Sequence, residues 1–132
     1  VEVATGKTTV ERIVVAADIG NINNQLVVDG QIYGGVAQGI GLALSEDFED
    51  LDKHTSIAAC GVPYPNDIPD DFEIIYVETP REHGPFGAAG VGELPLTSPH
   101  VAVVNAINNA TGVRIRELPA LPEKVLAGLQ AQ

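Results

Sequence analysis

Gln31-Ile32-Tyr33-Gly34-Gly35-Val36-Ala37-Gln38-Gly39-Ile40-Gly41-Leu42-Ala43-Leu44 decides the architecture of this chain. Ile32, Val36, Ile40 and Ala43/Leu44 recur at three- and four-residue spacing, which predicts a helix from Gln31 to Phe48 with one apolar stripe. The other face carries Gln31, Gly34/Gly35, Gln38 and Gly41/Leu42. A glycine inside a helix costs about 1 kcal/mol relative to alanine. Gly34, Gly35, Gly39 and Gly41 therefore need a compensation. Tight packing on a sheet would supply it, and so would the close approach of a bulky cofactor. A dinucleotide fingerprint at Gly39-Ile40-Gly41 fails, because the third glycine is missing and no strand leads into it.

Around this helix the chain reads as follows. Residues 1–17 predict a hairpin, with Thr5-Gly6-Lys7 as its turn and β-branched residues from Thr8 to Ala17. Asp18 to Asn24 is polar loop. Gly61, Pro63, Pro65 and Pro69 make residues 53–72 an irregular link. Phe72 to Val77 predicts a buried strand, and Glu78 to Pro99 a second irregular loop. Ser98-Pro99 then starts a helix, Ser98 as N-cap, with Val101, Val104, Ile107 and Ala110 toward the core and Gly112 as its stop. Val113 to Glu117 reads as a short strand. Pro122 opens a last helix with Val125, Leu126 and Leu129 on one side. The class expected is α+β: mixed strands with about three packed helices.

Composition narrows the function. The 132 residues suit one domain or a piece of a larger one, and 45% are hydrophobic, enough for a core. No apolar run approaches the ~18 residues of a membrane span, and no secretory signal is present. Acidic residues outnumber basic ones 18 to 7, for a net charge of −11, so nucleic acid and anionic membranes are not expected partners. The absence of methionine and a strand-like opening at Val1-Glu2-Val3 give the expectation of a piece of a longer polypeptide. The single Cys60 fits a reducing compartment.

The second informative run is Gly87-Ala88-Ala89-Gly90-Val91-Gly92-Glu93-Leu94-Pro95-Leu96. It sets one carboxylate behind glycines that let backbone N–H groups approach a ligand. Such an acid can act as a base on whatever the backbone grips; the same run also suits a tight turn before proline. Other chemistries find no support. His54, His83 and His100 lack metal-ligand spacing. No Gly-x-Ser-x-Gly elbow or P-loop occurs. Glu46 to Asp52 is acidic but lacks the glycine of a calcium loop.

Four segments together resemble one family. They are Ala17-Asp18-Ile19-Gly20-Asn21; Asp29-Gly30-Gln31 through Gly41; Gly90-Val91-Gly92-Glu93 before a proline; and Pro119-Ala120-Leu121-Pro122-Glu123-Lys124-Val125. They are similar to the C-terminal part of the molybdenum-binding domain of the xanthine oxidase family. Pro63-Tyr64-Pro65 and Glu78-Thr79-Pro80-Arg81 favour its aldehyde oxidoreductase branch. The resemblance implies that residues 1–132 are a C-terminal fragment of that domain. It implies molybdenum with molybdopterin, in the cytosine dinucleotide form, and oxidation of an aldehyde to a carboxylic acid with a water-derived oxygen. By the same resemblance Glu93 is the general base. Gly30, Gln31, Ala89, Gly90, Val91 and Gly92 bind the cofactor, Gln31 from the opening of its helix, where the helix N-terminus suits an anion. Asn23 and Asn24 are further candidates for the nucleotide tail. None of these residues is a metal ligand. The resemblance places [2Fe-2S] clusters elsewhere in a cytoplasmic, homodimeric parent enzyme. The remainder of that parent chain is then the principal partner, and this piece alone is expected to be inactive. A non-catalytic cofactor-binding or assembly module of the same fold, with Glu93 capping backbone amides, is the alternative.

Overall fold

Two stretches rich in β-branched and aromatic residues, β1 (Arg12–Asp18) and β2 (Asp71–Val77), pair in parallel, from Arg12 opposite Asp71 to Asp18 opposite Val77. Parallel strands need a long crossover, and it contains α1 (Gln25–Leu44). The computed structural model, which describes residues 1–132, adds α2 (Pro99–Thr111), α3 (Pro122–Gln130) and short 3-10 turns at Pro65–Asp67, Pro85–Gly87 and Leu94–Leu96. The fold is α+β, as expected.

The core forms where the apolar stripe of α1 meets everything else. Ile32, Val36, Ile40 and Ala43 are buried, as their spacing predicts. Ile13, Val15 and Ala17 of β1 and Phe72, Ile74 and Tyr76 of β2 face this core. Tyr33 meets Phe72 edge-on at 4.7 Å between ring centroids. Val103 and Ile107 of α2 and Val125 of α3 complete it. The opposite sheet face stays open: Val14, Ile75 and Val77 are each nearly half exposed, and neither strand has a second neighbour.

Several expectations are corrected. The strand over Phe72–Val77 is half-buried rather than buried, because nothing covers its outer face with Ile75 and Val77. There is no hairpin over residues 1–17. The turn is present, with Gly6 N–H donating to the Glu2 carbonyl at 2.8 Å, but β1 pairs with the distant β2. Gly6 instead docks on α3, where an added Cβ would lie 2.1 Å from the Pro122 carbonyl oxygen. The first helix begins at Gln25, not Gln31, because Asn24 caps it: its Oδ1 accepts from Val27 N–H at 3.2 Å. That helix ends at Leu44 rather than Phe48, where Ser45 turns away and its hydroxyl donates to the Gly61 carbonyl at 2.6 Å. Val113–Glu117 forms no strand and pairs with neither β1 nor β2, because Val113 packs on Gly128 of α3 instead.

A further correction concerns α2, which is rotated from the expected face. Val103 and Ile107 are buried, while Val101 is 47% exposed and Ala110 is exposed. The cause is a notch. Pro99 seats against Gly39, where a Cβ would meet the proline ring at 2.8 Å, so Pro99, Val103 and Ile107 become the inward row. Ser98 precedes the helix but its side chain makes no capping bond.

Candidate cofactor site

The loop after β2 carries Glu93, and it is braced at both ends. On the upstream side, loop 18–24 clamps it. The Asp18 Oδ1 accepts the N–H groups of Gly20 and Thr79, each at 3.2 Å, and Oδ2 lies 3.3 Å from the Arg81 guanidinium. These backbone donors, with desolvation opposing them and Arg81 assisting, hold the Asp18 carboxyl below its usual range. The Asn21 side-chain amide donates to the Phe86 carbonyl at 2.8 Å, and Asn21 N–H to the Gly87 carbonyl at 3.0 Å. Asn23 reaches the Pro85 carbonyl at 3.3 Å, and Glu78 accepts from Ile22 N–H at 3.1 Å. The last tie is Ala89 N–H to the Ile19 carbonyl at 2.8 Å. Gly20 must be glycine: its φ is +66°, and a Cβ would stand 2.3 Å from the Gly87 carbonyl oxygen.

On the downstream side, the 3-10 turn Leu94–Leu96 rests on α1. Gly35 is the seat, since its Cβ would meet Pro95 at 2.7 Å. Between these two supports the chain is bare. The N–H groups of Gly90, Val91, Gly92 and Glu93 donate to no protein acceptor. A Cβ on Gly90 or Gly92 would meet nothing within 4 Å. Glu93 is exposed, and its carboxylate neither caps an amide nor pairs with a cation. Exposed backbone donors bond to water, so four in a row without a protein acceptor form a surface that can exchange water for the acceptors of a ligand.

The face of α1 beside the Gly35 seat is equally bare. Val27, Gly30, Gln31, Gly34 and Gln38 form one exposed row at helical spacing. Gly30 and Gly34 have open space where a Cβ would be, and the Gln31 amide has no protein partner. The five glycines in this helix thus split. Gly35, Gly39 and Gly41 admit Pro95, Pro99 and the Glu46–Pro63 pair, while Gly30 and Gly34 keep a face clear. The anion-facing helix start falls at Asn24–Gln25, not at Gln31, which lies in the second turn of α1. A further polar knot steadies that start: the Tyr76 hydroxyl donates to the Asp29 carboxylate, to which the Gln25 amide also donates at 2.7 Å. Burial, and then the Asp29 charge, push the Tyr76 phenol up to about 12.

The structure therefore brings Ala89–Glu93 and the Gly30–Gln31 face to neighbouring positions through the Gly35–Pro95 contact. Asn24 and Asn23 already bond to protein atoms as cap and brace. The roles of Asp18, Asn21 and Arg81 escaped the sequence reading; the only local signal was the Asp-x-Gly pattern, which favours an Asx-type turn. A cleft of about 930 Å³ between Thr8–Val14 and Ala102, Ala106 and Ala110 of α2 shares no residue with this site. No three His, Cys, Asp or Glu side chains gather as metal ligands. This chain would hold a cofactor by backbone donors and by one amide.

A clamped loop of free N–H groups thus lies beside a glycine-cleared helix face, an arrangement suited to a ligand held by backbone donors. Residues 1–69, just over half of the chain, match the molybdopterin cofactor-binding domain, and the chain belongs to that family. Its relatives include aldehyde oxidoreductases and a xanthine dehydrogenase molybdenum-binding subunit. It is 63% identical over 131 residues to the aldehyde oxidoreductase of Megalodesulfovibrio gigas, covering 99% of this chain and 14% of that protein. The crystal structure of the aldehyde oxidoreductase from Desulfovibrio desulfuricans superposes with a TM-score of 0.95 at 67% identity, covering 97% of this chain and 14% of that one. The nicotine 6-hydroxylase large subunit of Paenarthrobacter nicotinovorans is 39% identical over 128 residues, covering 92% of this chain and 16% of that subunit. The chain thus spans about a seventh of the length of these relatives.

Proposed function

We propose that this chain is one wall of the molybdopterin site of a larger molybdenum hydroxylase that oxidises aldehydes to carboxylic acids, with Glu93 as the general base. Residues 1–132 are then part of its molybdopterin-binding domain. When bound, molybdenum supplies Lewis acidity and takes up the electrons of the oxidation. The residues of this chain do the rest. Gly90, Val91 and Gly92 offer N–H donors to the acceptor atoms of the cofactor, and Ala89 fixes where that row begins. Gly30 keeps the helix face clear, and Gln31 reaches from it to hydrogen-bond the cofactor. The Glu93 carboxylate, free of protein partners, takes the proton from the attacking water-derived oxygen. The cytosine dinucleotide form, [2Fe-2S] clusters elsewhere in the parent, a homodimeric parent and a cytoplasmic setting belong to the same proposal.

One observation carries it: four consecutive N–H groups without acceptors end in a carboxylate without a partner. A carboxylate that capped amides, as an assembly module would use it, would not stand free. The test compares the full parent enzyme with its Glu93→Gln variant in aldehyde-dependent dye reduction per molybdenum atom. A loss of about 100-fold or more in turnover with molybdenum retained is expected for removal of a general base. Equal turnover removes Glu93 from that role. A fully matured wild type without molybdenum would favour the assembly module.

A further inference from the structure

The N–H groups of Gly90–Glu93 have no protein acceptor, and apart from Val91 against the core and the Glu93 carbonyl accepting from Leu96 N–H at 3.1 Å, the segment takes its position from its two supports. Downstream the support is packing, Pro95 on Gly35. Upstream it is a hydrogen-bonded clamp, and one side chain lies at its centre. Asp18 ends β1. Its carboxylate holds Gly20 N–H on its own loop, and Thr79 N–H and the Arg81 guanidinium on the loop that leads to Glu93. The Arg81 guanidinium also donates to the Asp18 carbonyl at 3.3 Å, and Arg81 N–H donates to the Gly87 carbonyl at 2.9 Å. Gly87 accepts in turn from Asn21 N–H. Asp18, Arg81, Gly87 and Asn21 thus form a continuous chain of contacts from the end of the sheet to the turn before Ala89. Phe86 in that turn is held at φ +52°, a strained value for a residue with a side chain, and its carbonyl is fixed by the Asn21 amide.

We infer that Asp18 is a positioning residue for the base-bearing loop: it sets where the Gly90–Glu93 donors and the Glu93 carboxylate stand without touching cofactor or substrate. The inference rests on the proposed role of Glu93, but its primary readout does not. The experiment measures amide hydrogen exchange in the parent holoenzyme, with molybdenum content and turnover measured alongside. In Asp18→Ala, exchange over residues 79–93 is expected to rise about tenfold, because a charge-assisted acceptor of two N–H groups is lost. Exchange in α2 and α3 is expected to stay unchanged. Asp18→Asn, which keeps an acceptor oxygen but loses the charge, should restore part of the protection. Turnover per molybdenum should fall in the order wild type, Asn, Ala.

Unchanged exchange over 79–93 in a folded Asp18→Ala protein overturns the inference. So does a uniform rise across α2 and α3, which marks a role in global stability alone. If Asp18→Ala does not fold, Arg81→Gln breaks only the guanidinium contacts; a rise confined to 79–93 supports the inference and no rise overturns it. Glu93→Gln separates the two proposals, since it should abolish turnover while leaving exchange as in wild type. If Glu93→Gln keeps its turnover while Asp18→Ala loosens 79–93, the base assignment fails and the clamp stands.

Discussion

Gly34 and Gly39 share one helix and do opposite things. Gly39 is a notch: a side chain there would collide with the ring of Pro99, and that contact fixes how α2 is rotated. Gly34 is a clearing: a side chain there would touch nothing. Both positions carry the same helix-propensity cost. Only the first is repaid by packing within the chain. The lesson is that a glycine-rich helix has to be divided before it is interpreted, because packing and ligand approach leave identical letters in the sequence.

The comparison can be broken or sharpened by substitution. The largest effect is expected at the end of the clear face, where Glu93→Gln should remove nearly all turnover and leave folding intact. Next is the notch. Gly39→Val in the parent enzyme should destabilise by about 1–3 kcal/mol, the usual cost of overpacking, seen as a lower urea midpoint. A neutral result would mean that α2 is not seated by Pro99. The clearing should respond with the opposite sign. Gly34→Ala should stabilise the cofactor-free protein by up to about 1 kcal/mol through helix propensity, yet lower its molybdenum content. Gain of stability with full loading would mean that nothing approaches that face.

The smallest effect is a pH dependence at the start of the same helix. The folded Tyr76 phenol is raised from 10.0 to about 12, so the folded state keeps this proton when the unfolded state has lost it. Its contribution is fully present below pH 10 and is lost as the pH rises toward about 12. Tyr76→Phe should flatten that part of the stability profile, measured by urea unfolding across this range.

What was legible in the sequence was what is local. The row Ile32, Val36, Ile40 and Ala43 follows from helical period alone and is buried as expected. The open space at Gly90 and Gly92 follows from their lack of side chains, while Val91 between them packs against the core. What was not legible depends on distant partners. The β-branched residues before Asp18 announce a strand but not its neighbour, and β2 begins 59 positions beyond Arg12, at Asp71. Val113–Glu117 has strand-like residues but packs Val113 on Gly128 of α3 instead of pairing with β1 or β2. Gln31 does not open its helix: Asn24 caps it nearly two turns earlier, and Val28, buried four residues before Ile32, already belongs to the apolar row, a signal masked by the exposed Leu26 and Val27 beside it. Asp18 and Arg81 meet across 63 positions, and nothing in either neighbourhood names the other.

The open side of the two-stranded sheet has a consequence for how such a polypeptide is made. Each strand presents a free edge of N–H and C=O groups, and Val14, Ile75 and Val77 add a greasy outer surface. Edges of this kind accept whatever extended chain arrives first. On the ribosome and in the expression host, timing therefore matters: these edges are open to foreign strands until they are covered, and a variant that prolongs their exposure should appear as inclusion bodies before it appears as a fall in melting temperature.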